Sequence, residues 1–319
     1  MTITAAAGVD VGRDWLDVAF AYSPETRAPG RHFRAPNAPA GIAAILSRLR
    51  RAGIVRVVIE AIGSLSARLV RSLAAAGFEV GVVDPRRIAA LRLAEGGRAK
   101  TDKLDAGLIA RFALLMSDAI RPVPSAEALE LRALSTRRRQ LVEMAAMEKT
   151  RLKQAIDPAL IASCRAMIAM LGEERTRIEA MLEDRTRSTP EDRRKGDILR
   201  TIPGFGAAVV TTLLADLPEL GASDSKGIAS LAGVAPHIQQ SGADPGRAHI
   251  QGGRSCVRAV LYMAALSSVR SEKGFRLEYQ AMRAAGKPAK VALIAIARKL
   301  LVAANAMIKQ DRPWTPPTP

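Results

Sequence analysis

Between Gly8 and Phe112 the apolar residues switch repeatedly between the two-residue period of a strand and the wider spacing of a helix face, which restricts this stretch to an α/β layer architecture. Gly8 to Val11 reads as a strand, Gly12-Arg13-Asp14 as a turn and Leu16 to Phe20 as its hairpin partner, with a third edge strand near His32 to Arg34. Asn37 is expected to cap a helix running to about Arg51. A buried strand from Ile54 to Glu60, a helix from Ser66 to Ala76 and a strand from Phe78 to Val83 follow. Three antiparallel strands followed by βαβ units predict a ribonuclease H-like topology, assigned to residues 1–118.

Pro122 and Pro124 mark a boundary, and Ser125 is placed to cap a long helix. In the helix after it, Ile161, Cys164, Ile168, Leu171, Arg175, Ile178 and Leu182 alternate spacings of three and four, the seam of a coiled coil interrupted by Arg175. Such a seam fits either a partner chain or an intramolecular hairpin, because about three heptads is marginal. Residues 125–190 are therefore a helical coiled-coil region, with Thr186 to Gly196, polar and containing Pro190, read as a linker. A mainly α carboxy-terminal domain is expected over 197–310, with Gly-rich loops between helices, and residues 311–319 hold four prolines and read as a disordered tail.

Charge narrows the function. Lys and Arg number 48 against 31 Asp and Glu, a net charge of +17, which calls for a polyanionic partner. No run of 18 apolar residues and no secretory leader is seen, so a membrane role is not expected. Cys164 and Cys256 lie far apart and His32, His237 and His249 form no ligand spacing with them, which argues against zinc and disulfides and fits a cytoplasmic, nucleoid-associated protein. Aromatic residues make up only 3%, so recognition by base stacking is disfavoured and backbone electrostatics must carry the binding.

Phosphodiester chemistry needs divalent ions held by oxygen ligands, and two Mg²⁺ ions about 4 Å apart stabilise both the attacking and the leaving oxygen. Asp10 sits inside an apolar strand, which is costly unless the acid is paired or metal-bound. Glu60 ends another strand, and Asp102 and Asp105, three apart at a helix start, share one helix face. Singly, each has a structural reading as well: Asp102 as a cap, Asp105 as a first-turn charge, Glu60 as an exposed strand end. Asp84, before Pro85, reads as a cap, and Asp14 and Asp17 as hairpin residues.

Gly8-Val9-Asp10-Val11, Ile59-Glu60-Ala61-Ile62-Gly63 and Lys100-Thr101-Asp102-Lys103-Leu104-Asp105-Ala106 resemble the amino-terminal domain of the DEDD transposases of bacterial insertion sequences, related to the Piv-type DNA invertases. The resemblance implies a RuvC-like fold in which Asp10, Glu60, Asp102 and Asp105 hold Mg²⁺. Ile62 stands where that family usually has threonine.

In the carboxy-terminal part, Leu199 to Gly206 followed by Ala207 to Leu214 looks like a helix, a glycine turn and a helix, which is either an ordinary helical hairpin or a turn offering N–H groups to a DNA phosphate through Gly204 and Gly206. Ser241-Gly242, Gly246, Ile250, Gly252-Gly253-Arg254, Arg258 and Leu261-Tyr262-Met263-Ala264 resemble the second domain of the same family, with Gln240 where an acid is common. By chemistry alone Ser241-Gly242 is as readily a turn. The resemblance implies that Ser241 is the nucleophile. Arg98, Lys100, Arg247, Arg254 and Arg258 are the expected basic contacts to nucleic acid.

Together these readings predict a DNA recombinase working by Mg²⁺-dependent transesterification. The resemblance further implies double-stranded DNA as donor and target, a structured guide RNA and a homo-oligomer, a dimer or a tetramer. A hydrolytic resolvase-like nuclease, with Ser241 only structural, and a non-catalytic nucleic-acid-binding protein are the alternatives.

Overall fold

The computed structural model describes residues 4–23, 31–60, 63–96, 99, 101–116, 120–123, 125–237, 249–271 and 275–315. The chain forms two compact units, Met1–Pro124 and Ser125–Pro319.

The first unit is built on a six-stranded sheet. Strands β1 (Ala5–Val11), β2 (Trp15–Tyr22), β3 (Arg31–Pro36), β4 (Arg56–Glu60), β5 (Glu79–Val83) and β6 (Arg121–Pro122) lie in the order β3-β2-β1-β4-β5-β6. β2 and β3 run antiparallel within the opening meander, and β4 and β5 run parallel to β1. This is the expected order of hairpin first and βαβ units after. Helices α1 (Pro39–Arg51) and α2 (Ala67–Ala75) bury Ile42, Ile45, Leu69 and Leu73 on one face, against Val9, Val11, Val18 and Val57. Helices α3 (Pro85–Ala94) and α4 (Asp102–Leu115) cover the other face, where Ile88, Leu108, Ile109 and Phe112 pack with Ala6 and Val58.

Two local expectations are corrected. Asn37 does not cap α1: the cap is Ala38, extended at φ −139° and ψ 163° because Pro39 follows it, and Asn37 Nδ2 instead donates to the carbonyls of Gly12 and Leu65. Thr186 to Gly196 is not a linker: Pro190 opens helix α7 (Pro190–Arg200) at a position that lacks an N–H partner anyway, and Thr189 Oγ1 accepts from the Asp192 N–H.

In the second unit α5 (Ala126–Gln154) and α6 (Pro158–Thr186) form a hairpin. Arg185 reaches Glu130 and Arg138 reaches Glu179, so residues ascending one helix meet residues descending the other and the pair is antiparallel. Leu141, Leu171, Ile178 and Leu182 fill its seam, which makes three of the seam residues read from sequence part of an intramolecular core. Ser135 Oγ donates to buried Asp216 at 2.6 Å and ties α5 to α8 (Ala207–Asp216). Helices α9 (Ser225–Leu231), α10 (Ser255–Ser268), α11 (Arg276–Ala284) and α12 (Ala289–Lys309) complete the unit around Leu213, Leu261, Ile296 and Leu300.

Helix α12 is long and apolar enough to cross a membrane by length and composition, yet Leu293, Ile296, Ala297, Leu300 and Leu301 on it are core residues. Between α9 and α10 the chain is not purely loop: β7 (Pro236–His237) pairs antiparallel with β8 (His249–Ile250). The tail reading is also corrected up to residue 315, since the Trp314 N–H donates to Thr201 Oγ1 at 2.8 Å and its ring lies 5.8 Å from that of Phe275.

Candidate active site

The crossing of α4 over β1 creates the site. A Cβ on Gly8 would lie 2.2 Å from the Ala110 nitrogen and 2.3 Å from the Ala106 oxygen, so only glycine lets the helix backbone come this close. Asp10, two residues on along the same face, is thereby brought under the first turn of α4, which carries Asp102 and Asp105. Thr101 begins that turn, its Oγ1 accepting from the Leu104 N–H, so Asp102 is left free of the capping role. Glu60 stands at the end of β4, which is the strand beside β1.

The charge of Asp10 is coupled to those of the other three acids. The half-buried Asp10 carboxyl is pushed up from 3.8 to about 6, first by burial and then by the charges of Glu60, Asp102, Asp105 and Asp17. All-oxygen donors crowded in this way suit a hard divalent cation. In the present side-chain arrangement, however, no three His, Cys, Asp or Glu among the described residues stand ready to grip one ion. Two of the acids are held by arginines. Asp105, buried, pairs with Arg92 from α3, and Asp102 accepts from Arg34 NH2 at 3.0 Å.

Asp17 was not expected here. It lies opposite Asp10 in the register of β1 and β2, is 3% exposed, and accepts from His32 Nε2 at 2.8 Å and Arg34 Nε at 2.9 Å. The signal available in the sequence was an acid between Leu16 and Val18, the same anomaly that singled out Asp10.

In the second unit, the turn before α8 has Gly204 at φ +92°, and a Cβ there would meet the Ala264 oxygen at 2.4 Å. Gly206 is the extended residue at the start of α8, which has no side-chain cap. Arg254 engages both of its terminal nitrogens with Glu219, at 2.5 and 2.7 Å. Arg258 donates to the Gly252 carbonyl at 2.8 Å and the Gly233 carbonyl at 3.3 Å, joining the chain before β7 to the chain after β8. Ser241, Arg247, Arg98 and Lys100 lie outside the described residues.

Comparison with known proteins gives the context. Residues 7–160 match the family model DEDD_Tnp_IS110, described as Transposase, and residues 196–280 match the model described as Transposase IS116/IS110/IS902 family. The pilin gene-inverting protein of Moraxella bovis is 30% identical over 264 residues, 82% of this chain and 82% of that protein. The Insertion element IS900 uncharacterized 42 kDa protein of Mycobacterium paratuberculosis is 28% identical over 231 residues, 68% of this chain and 56% of that protein. A solved structure of T. thermophilus RuvC in complex with Holliday junction substrate is 17% identical, covers 38% of this chain and all of that one, and superposes with a TM-score of 0.28. With both transposase models matched in order along it, and with 30% identity to the inverting protein across most of both sequences, the chain belongs to the IS116/IS110/IS902 family of DEDD transposases and recombinases.

Proposed function

We propose that this transposase cuts and rejoins double-stranded DNA by transesterification, with Asp10, Glu60, Asp102 and Asp105 holding Mg²⁺ and Ser241 attacking the phosphate. The observation that carries the metal reading is the crowding of Asp10, whose carboxyl is held near pH 6 by burial and by the other acids. A divalent cation, when bound, supplies positive charge against the phosphate oxygens of the scissile bond. Asp105 must then turn from Arg92 toward it, and Asp10 must lose its proton.

In the strand-transfer step Ser241 Oγ forms a bond to phosphorus as the bond from phosphorus to the 3′ oxygen breaks. The hydroxyl proton ends on that oxygen, leaving a phosphoserine ester and a free 3′-hydroxyl. The ester is retained, so a different 3′-hydroxyl can reverse the step and join a new strand without a nucleotide cofactor.

The +17 charge supports a polyanionic partner. The family resemblance supports a structured guide RNA alongside donor and target DNA, and a cytoplasmic, nucleoid-associated setting. Phosphate contact is assigned to the turn at Gly204 and Gly206 and to Arg98, Lys100 and Arg247, while Arg254 and Arg258 shape the fold. Synapsis of two DNA sites calls for a homo-oligomer. Support for the helical hairpin as its contact comes from Val142, Met144, Met147, Leu160, Met167 and Met170, which are large, apolar and exposed.

The test is covalent trapping. Wild-type protein denatured during reaction with DNA, guide RNA and Mg²⁺ should keep a DNA strand through boiling in detergent, and peptide mass should place it on the Ser241 segment. Ser241→Ala should fold, bind and form no adduct. Cleavage by Ser241→Ala at the wild-type rate, or an adduct on another segment, would transfer the reaction to water or to a different nucleophile.

A further inference from the structure

One rung of the sheet runs across three neighbouring strands. Asp10 on β1 faces Asp17 on β2, and Asp17 faces Arg34 on β3. Directly opposed residues share a sheet face, so the rung lies on the side that α4 covers. Asp17 is fixed there with both oxygens occupied, Oδ1 by His32 Nε2 at 2.8 Å and Oδ2 by Arg34 Nε at 2.9 Å and NH2 at 2.8 Å. The same Arg34 NH2 reaches Asp102 Oδ2 at 3.0 Å.

Asp102 is in a different situation. Its side chain is 66% exposed on the first turn of a helix, where a carboxylate has several rotamers open to it, and Arg34 is the partner that meets it across the sheet edge. The planar guanidinium is suited to that bridge, because its donors sit in a rigid fork that can serve two acceptors. Asp17 also cancels the charge of Arg34. The arm therefore presents directed N–H groups to Asp102 with little net positive charge to repel a metal.

We propose that Arg34, anchored on buried Asp17, is a positioning residue that holds the Asp102 carboxylate in place for a divalent cation. The inference rests on the metal-site reading given above. Residues that orient metal ligands without touching the metal commonly change affinity by about 10- to 100-fold when replaced.

The experiment measures Mn²⁺ affinity of the full-length protein, free of nucleic acid, by the electron paramagnetic resonance signal of unbound Mn²⁺. Four variants are compared, Arg34→Met, Arg34→Lys, Asp17→Asn and Asp10→Asn, each first checked for a wild-type circular dichroism spectrum. Arg34→Met and Arg34→Lys should both weaken binding by about 10-fold, because a single ammonium restores the charge but not the fork. Asp17→Asn keeps the shape of the anchor and removes the balancing charge, so it should weaken binding as well. Wild-type affinity in Arg34→Lys would show that charge alone matters, and tighter binding in Arg34→Met would show that Arg34 competes with the metal. Either result overturns the proposal. Asp10→Asn separates the two levels of the argument: if it too binds like wild type, the metal-site reading has failed, whereas loss in Asp10→Asn with unchanged Arg34 variants removes only the positioning role.

Discussion

Replacing Asp10 by asparagine should make the metal-free protein more stable at neutral pH. The carboxyl is held at about 6 against 3.8 in an unfolded chain, so the folded state disfavours its charge. Below pH 3.8 the group is protonated in both states and carries no penalty. As pH rises toward 6 the unfolded chain releases its proton first, and the stability linked to the raised pKa is lost; above 6 the loss is complete. At about 1.4 kcal/mol per unit the full shift corresponds to ~3 kcal/mol. The carboxyl is half open to solvent, and screening brings this down to ~1.5 kcal/mol. Asparagine imitates the protonated acid in size and removes the charge, so the variant should recover that amount at pH 7.5 and about a third of it at pH 4.5.

The sequence offers a clean probe. Its two tryptophans fall one in each unit, Trp15 on β2 and Trp314 after α12, so in a Trp314→Phe background the fluorescence reports the first unit alone. Urea titrations in EDTA at the two pH values give the difference in unfolding free energy. Adding Mg²⁺ at pH 7.5 should then stabilise the Asp10 protein and not the asparagine variant, reversing or closing the gap. The reasoning is refuted if the two proteins unfold alike at pH 7.5 in EDTA, or if the gap is the same at both pH values. Either result would mean that Asp10 is not crowded by the other acids.

Two further outcomes follow from the packing. Gly8→Ala should destabilise the first unit by about 1–3 kcal/mol, because its methyl would meet the backbone of α4 and force the helix outward; an unchanged urea midpoint by Trp15 fluorescence would show that the close crossing is not needed. Arg254→Lys should lower the melting temperature of the second unit while changing DNA affinity less than about two-fold, since the side chain is committed to Glu219; a tenfold loss of filter-bound DNA with an unchanged melt would make Arg254 a phosphate contact instead.

Where one residue's backbone chemistry decided the outcome, the fold was legible. Asp84-Pro85 caps α3 as read, with the Asp84 carboxylate accepting from the Arg86 N–H, and Ser125 caps α5 through its hydroxyl. Errors arose where proline has two meanings. Pro190, in a polar stretch that reads as a linker, is the first residue of a helix, and Pro39 sets the start of α1 past Asn37. The coiled-coil seam was visible in its spacing, but spacing does not say which helix fills it. Arg138 with Glu179 and Arg185 with Glu130 do, and those pairs join residues too distant in sequence for any local pattern to connect.

The acids and the basic residues of this chain differ in how far sequence can take them, for a physical reason. An acid in an apolar strand is costly whatever its role, so Asp10 announces itself, and Asp17 would have done so under the same rule applied evenly. An arginine in a chain of net charge +17 announces nothing, because the sequence does not separate one that braces the fold from one that meets a polyanion. Arg34, Arg92, Arg254 and Arg258 become distinct only when their partners are known, and three of these arginines pair with acids: Arg34 with Asp17 and Asp102, Arg92 with Asp105, and Arg254 with Glu219. Arg258 meets backbone carbonyls instead. A basic residue fixed in a family motif is therefore as readily a brace for the fold as a hand on the phosphate.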